Sequence, residues 1–230
     1  MSTQPPRVPL ARLPTPLDAI AGDRLGQLLP NTEELLLKRD DLTGCALSGN
    51  KIRKLEYLLA DAVARGKRRI LTCGGIQSNH CRATAVAARR LGLDVTVFLR
   101  TESIPDGPFR GNLLLNRMLG AEIVYVTRAE YQQRAELMAD RAGDDGYVIP
   151  EGGSNALGAW GYIRAFDELS AQWTRRPTSI VCAVGSGGTL AGLLLCARRR
   201  GVDVPIYGIN VCDDAPTFQR IVSTIAADAA

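Results

Sequence analysis

Short runs of aliphatic and β-branched residues alternate along the chain with longer stretches in which apolar side chains recur every third or fourth position. The run ELLLKR at 34–39 predicts a strand. Residues 51–65 follow, with Ile52, Leu55, Leu58, Leu59, Ala62 and Val63 at helical spacing. The same reading predicts strands at 69–73, 94–99, 121–126, 147–149, 179–184 and 205–210. Helices are predicted at 79–91, 112–119, 129–142, 157–171, 189–200 and 216–227. No segment repeats at a fixed period. Residues 101–110, with Pro105, Gly107 and Pro108, read as a mobile surface loop or a plain connection.

Repeated strand–helix units with short apolar strands predict an α/β fold: open, mostly parallel sheets covered by helices on both faces. Ligands in such folds bind beyond the carboxyl ends of the strands, in loops that lead into helices. Those loops are where chemistry is to be sought.

Composition narrows the classes. With 230 residues, 46% hydrophobic and 23% charged, the chain has material for one large domain or two small ones and is not a disordered sequence. Net charge is +4, no basic run exceeds three residues and only 5% of residues are aromatic, which argues against a nucleic-acid surface. No apolar run approaches the ~20 residues that span a bilayer, and the first residues lack a secretory pattern. Cysteines at 45, 73, 81, 182, 196 and 212 form no CxxC pair, so the expectation is reduced thiols in the cytoplasm. His80 is the only histidine, which excludes zinc sites built on several His ligands. A Ser78–His80 hydrolytic pair is disfavoured, because residues two apart on a helix face different ways.

Positive charge is carried by 24 arginines and only 4 lysines: Lys38, Lys51, Lys54 and Lys67. An amine can give up its proton or form an imine, and a guanidinium does neither readily. Lys51 ends the loop 44–51 and opens a predicted helix. The loop 73–80 (CGGIQSNH) opens another. The loop 185–189 (GSGGT) opens a third and is the clearest anion cradle, through backbone N–H groups and the hydroxyls of Ser186 and Thr189. A P-loop is absent, and a dinucleotide fingerprint fails because Leu190 stands where its third glycine belongs. A single phosphate therefore fits better than a pyrophosphate. A lysine amine with a one-phosphate site suggests pyridoxal phosphate held as a Schiff base on Lys51. The pattern alone leaves open a ligand-free glycine turn, an ordinary surface lysine, and Ser78 or Asn79 as a mere helix cap.

The segments KRDDLTGCALSGNKIRKLEYLLADA (38–62), GGIQSNHCRATAVAARRLGL (74–93), PEGGSNALGAWGY (150–162) and GSGGTLAGL (185–193) resemble the D-cysteine desulfhydrase and 1-aminocyclopropane-1-carboxylate deaminase family, pyridoxal-phosphate enzymes of the tryptophan synthase β-type fold. The resemblance runs from about Pro14 to Asn210. It implies Lys51 and Ser78 as catalytic residues. It implies Asn50, Lys51, Lys54, Asn79, Gly185, Ser186, Gly187, Gly188 and Thr189 around the cofactor, with Lys54 close to the phosphate. It implies Ser78, Asn79, His80, Gly153 and Ser154 around a small amino-acid substrate. QSNH at 77–80 resembles the desulfhydrase branch, so D-cysteine is the expected substrate. Deamination of the cyclopropane amino acid is the alternative, and a catalytically inactive cofactor-binding protein is the rival from another class. A homodimer is the implied assembly. Two domains are implied: a smaller one at 58–161, inserted into a larger one at 1–57 and 162–230. Family members extend further at the C-terminus, so the larger domain is expected to be incomplete.

Overall fold

The structure is a computed structural model that describes residues 4–20, 27, 30 and 32–230. Strand β1 (Leu17–Ile20) runs antiparallel to β2 (Leu35–Lys38), with Leu17 opposite Lys38. Helix α1 (Lys51–Ala64) then leads into β3 (Arg69–Gly75), α2 (Asn79–Arg90), β4 (Asp94–Arg100), α3 (Gly111–Met118) and β5 (Glu122–Val126). Helices α4 (Arg128–Gln132) and α5 (Arg134–Ala142) and strand β6 (Gly146–Val148) follow. The four strands form a parallel sheet in the order β5-β4-β3-β6. Ile70 sits opposite Val95 on one side and Tyr147 on the other.

Alternation along β3 and β4 sends side chains to two separate cores. Ile70, Val95, Val97 and Leu99 meet Leu55, Leu58, Val86 and Leu113 from α1, α2 and α3. Leu71, Cys73 and Phe98 meet Tyr131, Met138 and Ala142 from α4 and α5. Both central strands are thereby covered on two faces, which is why they read as almost continuous apolar runs.

The remaining elements are α6 (Ala156–Ala171), β7 (Ile180–Val184), α7 (Gly188–Arg199), β8 (Ile206–Asn210) and α8 (Ala215–Asp228). β7 and β8 pair in parallel, Val181 opposite Tyr207 and Ala183 opposite Ile209. A third core joins Ala159, Phe166, Leu193, Cys196 and Val222. The two parallel sheets with their helices are the expected architecture. The antiparallel β1–β2 pair is an addition that the half-exposed LDAI segment does not announce. The helix expected over 129–142 is broken at Gln133, whose φ of −98° and ψ of 18° leave helical geometry.

Helix α1 packs against α6. The crossing is close: a β-carbon added at Gly161 would lie 2.5 Å from the carbonyl carbon of Arg53. The proposed domain limits, 57/58 and 161/162, fall inside these two helices; residues 1–3, 21–26, 28, 29 and 31 of the larger unit lie outside the described residues. Arg53, only 2% exposed, anchors the contact. Its guanidinium donates to Asp40 Oδ1 at 2.7 Å, Glu168 Oε1 at 2.9 Å and Thr15 Oγ1 at 2.9 Å. Lys38 Nζ reaches the same Glu168 oxygen at 2.6 Å. Burial pushes the Glu168 carboxyl up, but Arg53 and Lys38 outweigh it and hold it at about 2. This cluster fixes the loop before α1 and, with it, the helix end that carries Lys51.

Candidate active site

A cleft of about 1410 Å³ runs along β2 and β7 and reaches the loops at the carboxyl ends of the strands. It brings together Asn50, Lys51, Ser78, Asn79, His80, residues 185–187 and Thr189, from three loops far apart in sequence. Lys54, Gly153, Ser154 and Gly188 stand behind this wall.

Lys51 is the first residue of α1. Its Nζ donates to Asn50 Oδ1 at 2.9 Å, and Asn50 Nδ2 donates to Thr189 Oγ1 at 3.2 Å. One amide side chain thus joins the amine to the glycine loop. Burial lowers the Lys51 pKa and favours the neutral amine. The loop before it is strapped from α2: the Arg82 guanidinium donates to the carbonyls of Ala46 and Ser48, the latter at 2.9 Å.

The loop 185–189 joins β7 to α7. Gly187 has φ +81° and has no side chain of its own to cap the helix it precedes. A β-carbon at Gly187 would lie 2.8 Å from Ile221 Cγ2, so both conformation and space require glycine there. Ser154 braces the loop from behind. Its Oγ accepts from Gly188 N at 3.2 Å and from Lys54 Nζ at 3.0 Å, and lies 2.8 Å from Ser186 Oγ. The hydroxyl expected beside the substrate is therefore engaged on the underside of the cradle.

Ser78 caps α2, its Oγ accepting from Cys81 N at 3.2 Å. The hydroxyl proton remains available. Asn79 is exposed at the cleft, and its Oδ1 accepts from Asn112 Nδ2 at 2.9 Å. Asn112 also donates to Gln77 O at 2.9 Å, so α3 sets the orientation of Asn79 and leaves the Asn79 amide NH₂ as a donor. Asn112 was not a sequence candidate, and nothing in its local pattern marks it.

His80 is 3% exposed and its Nε2 lies 2.8 Å from Thr72 Oγ1. The Thr72 hydroxyl donates to Ile149 O at 2.9 Å, so the ring nitrogen must be the donor to Thr72. Burial, reinforced by Lys51, drives the His80 pKa down to about 3. The ring is a neutral strut between α2 and β3, and its charge is not available to a substrate carboxylate.

Among the described residues, no group of three or more His, Cys, Asp or Glu could hold a metal ion, and no helix is long and apolar enough to cross a membrane.

The chain is similar to known proteins over nearly its whole length. A family model described as "Pyridoxal-phosphate dependent enzyme" matches residues 8–229. The bifunctional D-cysteine desulfhydrase/1-aminocyclopropane-1-carboxylate deaminase, mitochondrial, of Arabidopsis thaliana is 42% identical over 231 residues, covering 93% of this chain and 56% of that protein. A putative 1-aminocyclopropane-1-carboxylate deaminase of Thermotoga maritima is 46% identical over 212 residues, covering 89% of this chain and 66% of that protein. The chain thus spans less than two thirds of the length of these curated relatives. A crystal structure of an ACC deaminase homologue superposes with a TM-score of 0.86 at 37% identity, covering 98% of this chain and 69% of that one.

Proposed function

The chain belongs to the family of pyridoxal-phosphate dependent enzymes, and from that premise we propose a lyase of small amino acids whose substrate is D-cysteine and whose products are pyruvate, hydrogen sulfide and ammonia. The observation that carries the proposal is the bridge through which Asn50 joins the Lys51 amine to Thr189 of the glycine loop. It sets an amine and an anion cradle side by side in one cleft.

The residues present fit the cofactor. The cradle has no room for a side chain at Gly187, which offers α7 no cap of its own, and the buried Lys54 amine beside it has only neutral oxygens as partners. Lys51, Asn50, Lys54, Asn79 and residues 185–189 would hold it. When bound, pyridoxal phosphate supplies an electron sink for the carbon next to a substrate's amino group.

The chain's own groups have separable roles. Lys51, its pKa lowered by burial, gives up its proton more readily than an exposed lysine and can take and return one at Nζ. Asn50 accepts one Nζ hydrogen and so aims the amine's lone pair. Ser78 spends its oxygen on the cap and offers its hydrogen to a substrate carboxylate, a matter of orientation rather than strong acid catalysis. Asn79 offers amide hydrogens to an anionic oxygen. His80 holds the cleft wall through Thr72, so the distinction between substrates that its position marks acts through wall shape.

The second reading is deamination of 1-aminocyclopropane-1-carboxylate, favoured by the name of the Thermotoga relative. A homodimer in the cytoplasm is the proposed setting. Six free cysteines suit a reducing compartment. The exposed apolar side chains of Leu114, Leu115 and Met118 on α3 suit a protein partner. The deciding experiment offers D-cysteine, L-cysteine and the cyclopropane amino acid in parallel and measures 2-oxo acid release. Pyruvate with sulfide from D-cysteine alone supports the proposal. A four-carbon 2-oxo acid from the cyclopropane substrate, with D-cysteine inert, replaces it by the second reading.

A further inference from the structure

Lys54 lies one turn beyond Lys51 on α1 and is 1% exposed. Its Nζ donates to Gly152 O at 3.3 Å and to Ser154 Oγ at 3.0 Å. Among the described residues it takes part in no ion pair. The titratable groups around it supply no negative charge. Lys51 is a second amine on the same helix. His80, from α2, is a neutral ring. The Cys182 thiol, from β7, is pushed up by burial and stays protonated. Tyr162, from α6, keeps its proton and donates a hydrogen bond to Asp40, which Arg53 pairs. Glu151, next to Gly152, is engaged by Arg134 at 3.4 Å. The cradle contributes only hydroxyls and N–H groups.

A buried ammonium with neutral partners is costly, and the group sheds its proton instead. Burial first, then Lys51, accordingly hold the Lys54 pKa well below its ordinary value. The amine also sits directly under the start of α7. A β-carbon placed at Gly188 would lie 3.0 Å from Lys54 Nζ. An anion drawn to that helix end would supply the missing countercharge.

We infer that Lys54 is an uncharged amine until an anion settles at the start of α7, and that the entry of a phosphate group carries one proton into the site. The inference rests on the reading of residues 185–189 as the phosphate cradle. It makes the site select phosphate esters over the corresponding alcohols. It also makes phosphate affinity fall as pH rises, by about tenfold per pH unit between the free and bound pKa values of the amine.

The test is calorimetric titration of the cofactor-free 230-residue chain with pyridoxine 5′-phosphate, which has no aldehyde and cannot react with Lys51. The titration is run at alkaline pH in two buffers of different ionisation enthalpy, so that the difference in heat counts protons. Uptake of about one proton is expected for the wild type and for Lys51→Met. Lys54→Met should bind more weakly and take up none, its fold checked by circular dichroism. Binding by the wild type without proton uptake overturns this inference alone, as does uptake that persists in Lys54→Met. Failure of the wild type to bind the phosphate ester removes the cradle reading and the inference with it. The wild-type proton count decides the matter even where Lys54→Met does not fold.

Discussion

Asn50 and Thr189 stand 139 positions apart in sequence, yet the amide of one donates to the hydroxyl of the other at 3.2 Å. The same Asn50 side chain accepts from the Lys51 amine at 2.9 Å. The amine and the cradle are thus set relative to one another by a single residue. Asn50→Ala removes both bonds. The expected result is about a fivefold to tenfold weaker retention of pyridoxal phosphate, the worth of one net hydrogen bond, read by absorbance titration of the cofactor. Unchanged retention would show that the bridge does not set the site.

Gly187→Ala tests the cradle itself. The new β-carbon meets Ile221 Cγ2 at 2.8 Å and the backbone must keep φ +81°. The substitution should cost about 1–3 kcal/mol of stability and weaken cofactor retention. Thr189→Val should instead spare stability and weaken retention, because only a hydroxyl is lost. Thermal melts and cofactor titration of both variants separate the two effects. A Thr189→Val protein that holds cofactor as tightly as wild type but loses turnover would place the cradle elsewhere.

Much of this site is legible in the sequence for physical reasons. Lysine scarcity and its place at a helix start make Lys51 a candidate, and a Gly-Ser-Gly-Gly-Thr turn between strand and helix marks a candidate cradle without reference to the rest of the fold. Strands β3 and β4 are legible because burial on both faces demands almost continuous apolar runs. What the sequence does not carry is partnership across the fold. Asn112 orients Asn79 from 33 positions away, and Ser154 meets Gly188 from 34 positions away. His80 lies in a motif that points to the cleft, but its ring turns to Thr72, a choice made by packing of α2 on β3. The break at Gln133 has no glycine or proline to announce it.

Acid should destabilise the protein in two stages. The His80 pKa is about 3 in the folded chain against 6.5 ordinarily, so the unfolded chain binds the extra proton between those values. Stability is therefore lost as pH falls through that window, at up to roughly 1.4 kcal/mol per pH unit. Glu168, at about 2 against 4.5, has a depressed pKa and adds a second loss as pH falls below 4.5. Urea unfolding of wild type and His80→Gln at pH 6.5 and 5 checks the first stage. The glutamine can still donate to Thr72, and it should flatten the slope. An equal slope in both proteins would mean that His80 is already charged when folded.

Removing one partner of the buried Arg53 cluster should be severe. Glu168→Gln leaves Arg53 with Asp40 as its one carboxylate and Lys38 with only the neutral oxygens of Thr15 and Gln172, at a cost of about 3 kcal/mol. Because this cluster fixes the loop ahead of α1, cofactor retention should fall as well. A melting temperature within a degree of wild type would contradict this account of how Lys51 is positioned.

The β7–β8 pair exposes Val181 at 62%, Tyr207 at 55% and Ile209 at 55%. Among the described residues β8 pairs only with β7. An apolar strand pair with free edges invites association. The 230-residue chain should self-associate in sedimentation or light scattering, and Val181→Lys combined with Ile209→Lys should reduce that while leaving far-ultraviolet circular dichroism unchanged. Association unaffected by the double substitution would place the contact on another surface.

The central claim is that Lys51 is the residue that holds the cofactor. The chain has only 4 lysines, so the assignment can be read without ambiguity. The protein loaded with pyridoxal phosphate is reduced with borohydride, digested and mapped by mass spectrometry. The account predicts one pyridoxyl group, on Lys51, and none in Lys51→Ala. A pyridoxyl group on Lys54, Lys38 or Lys67 of the wild-type chain would contradict it.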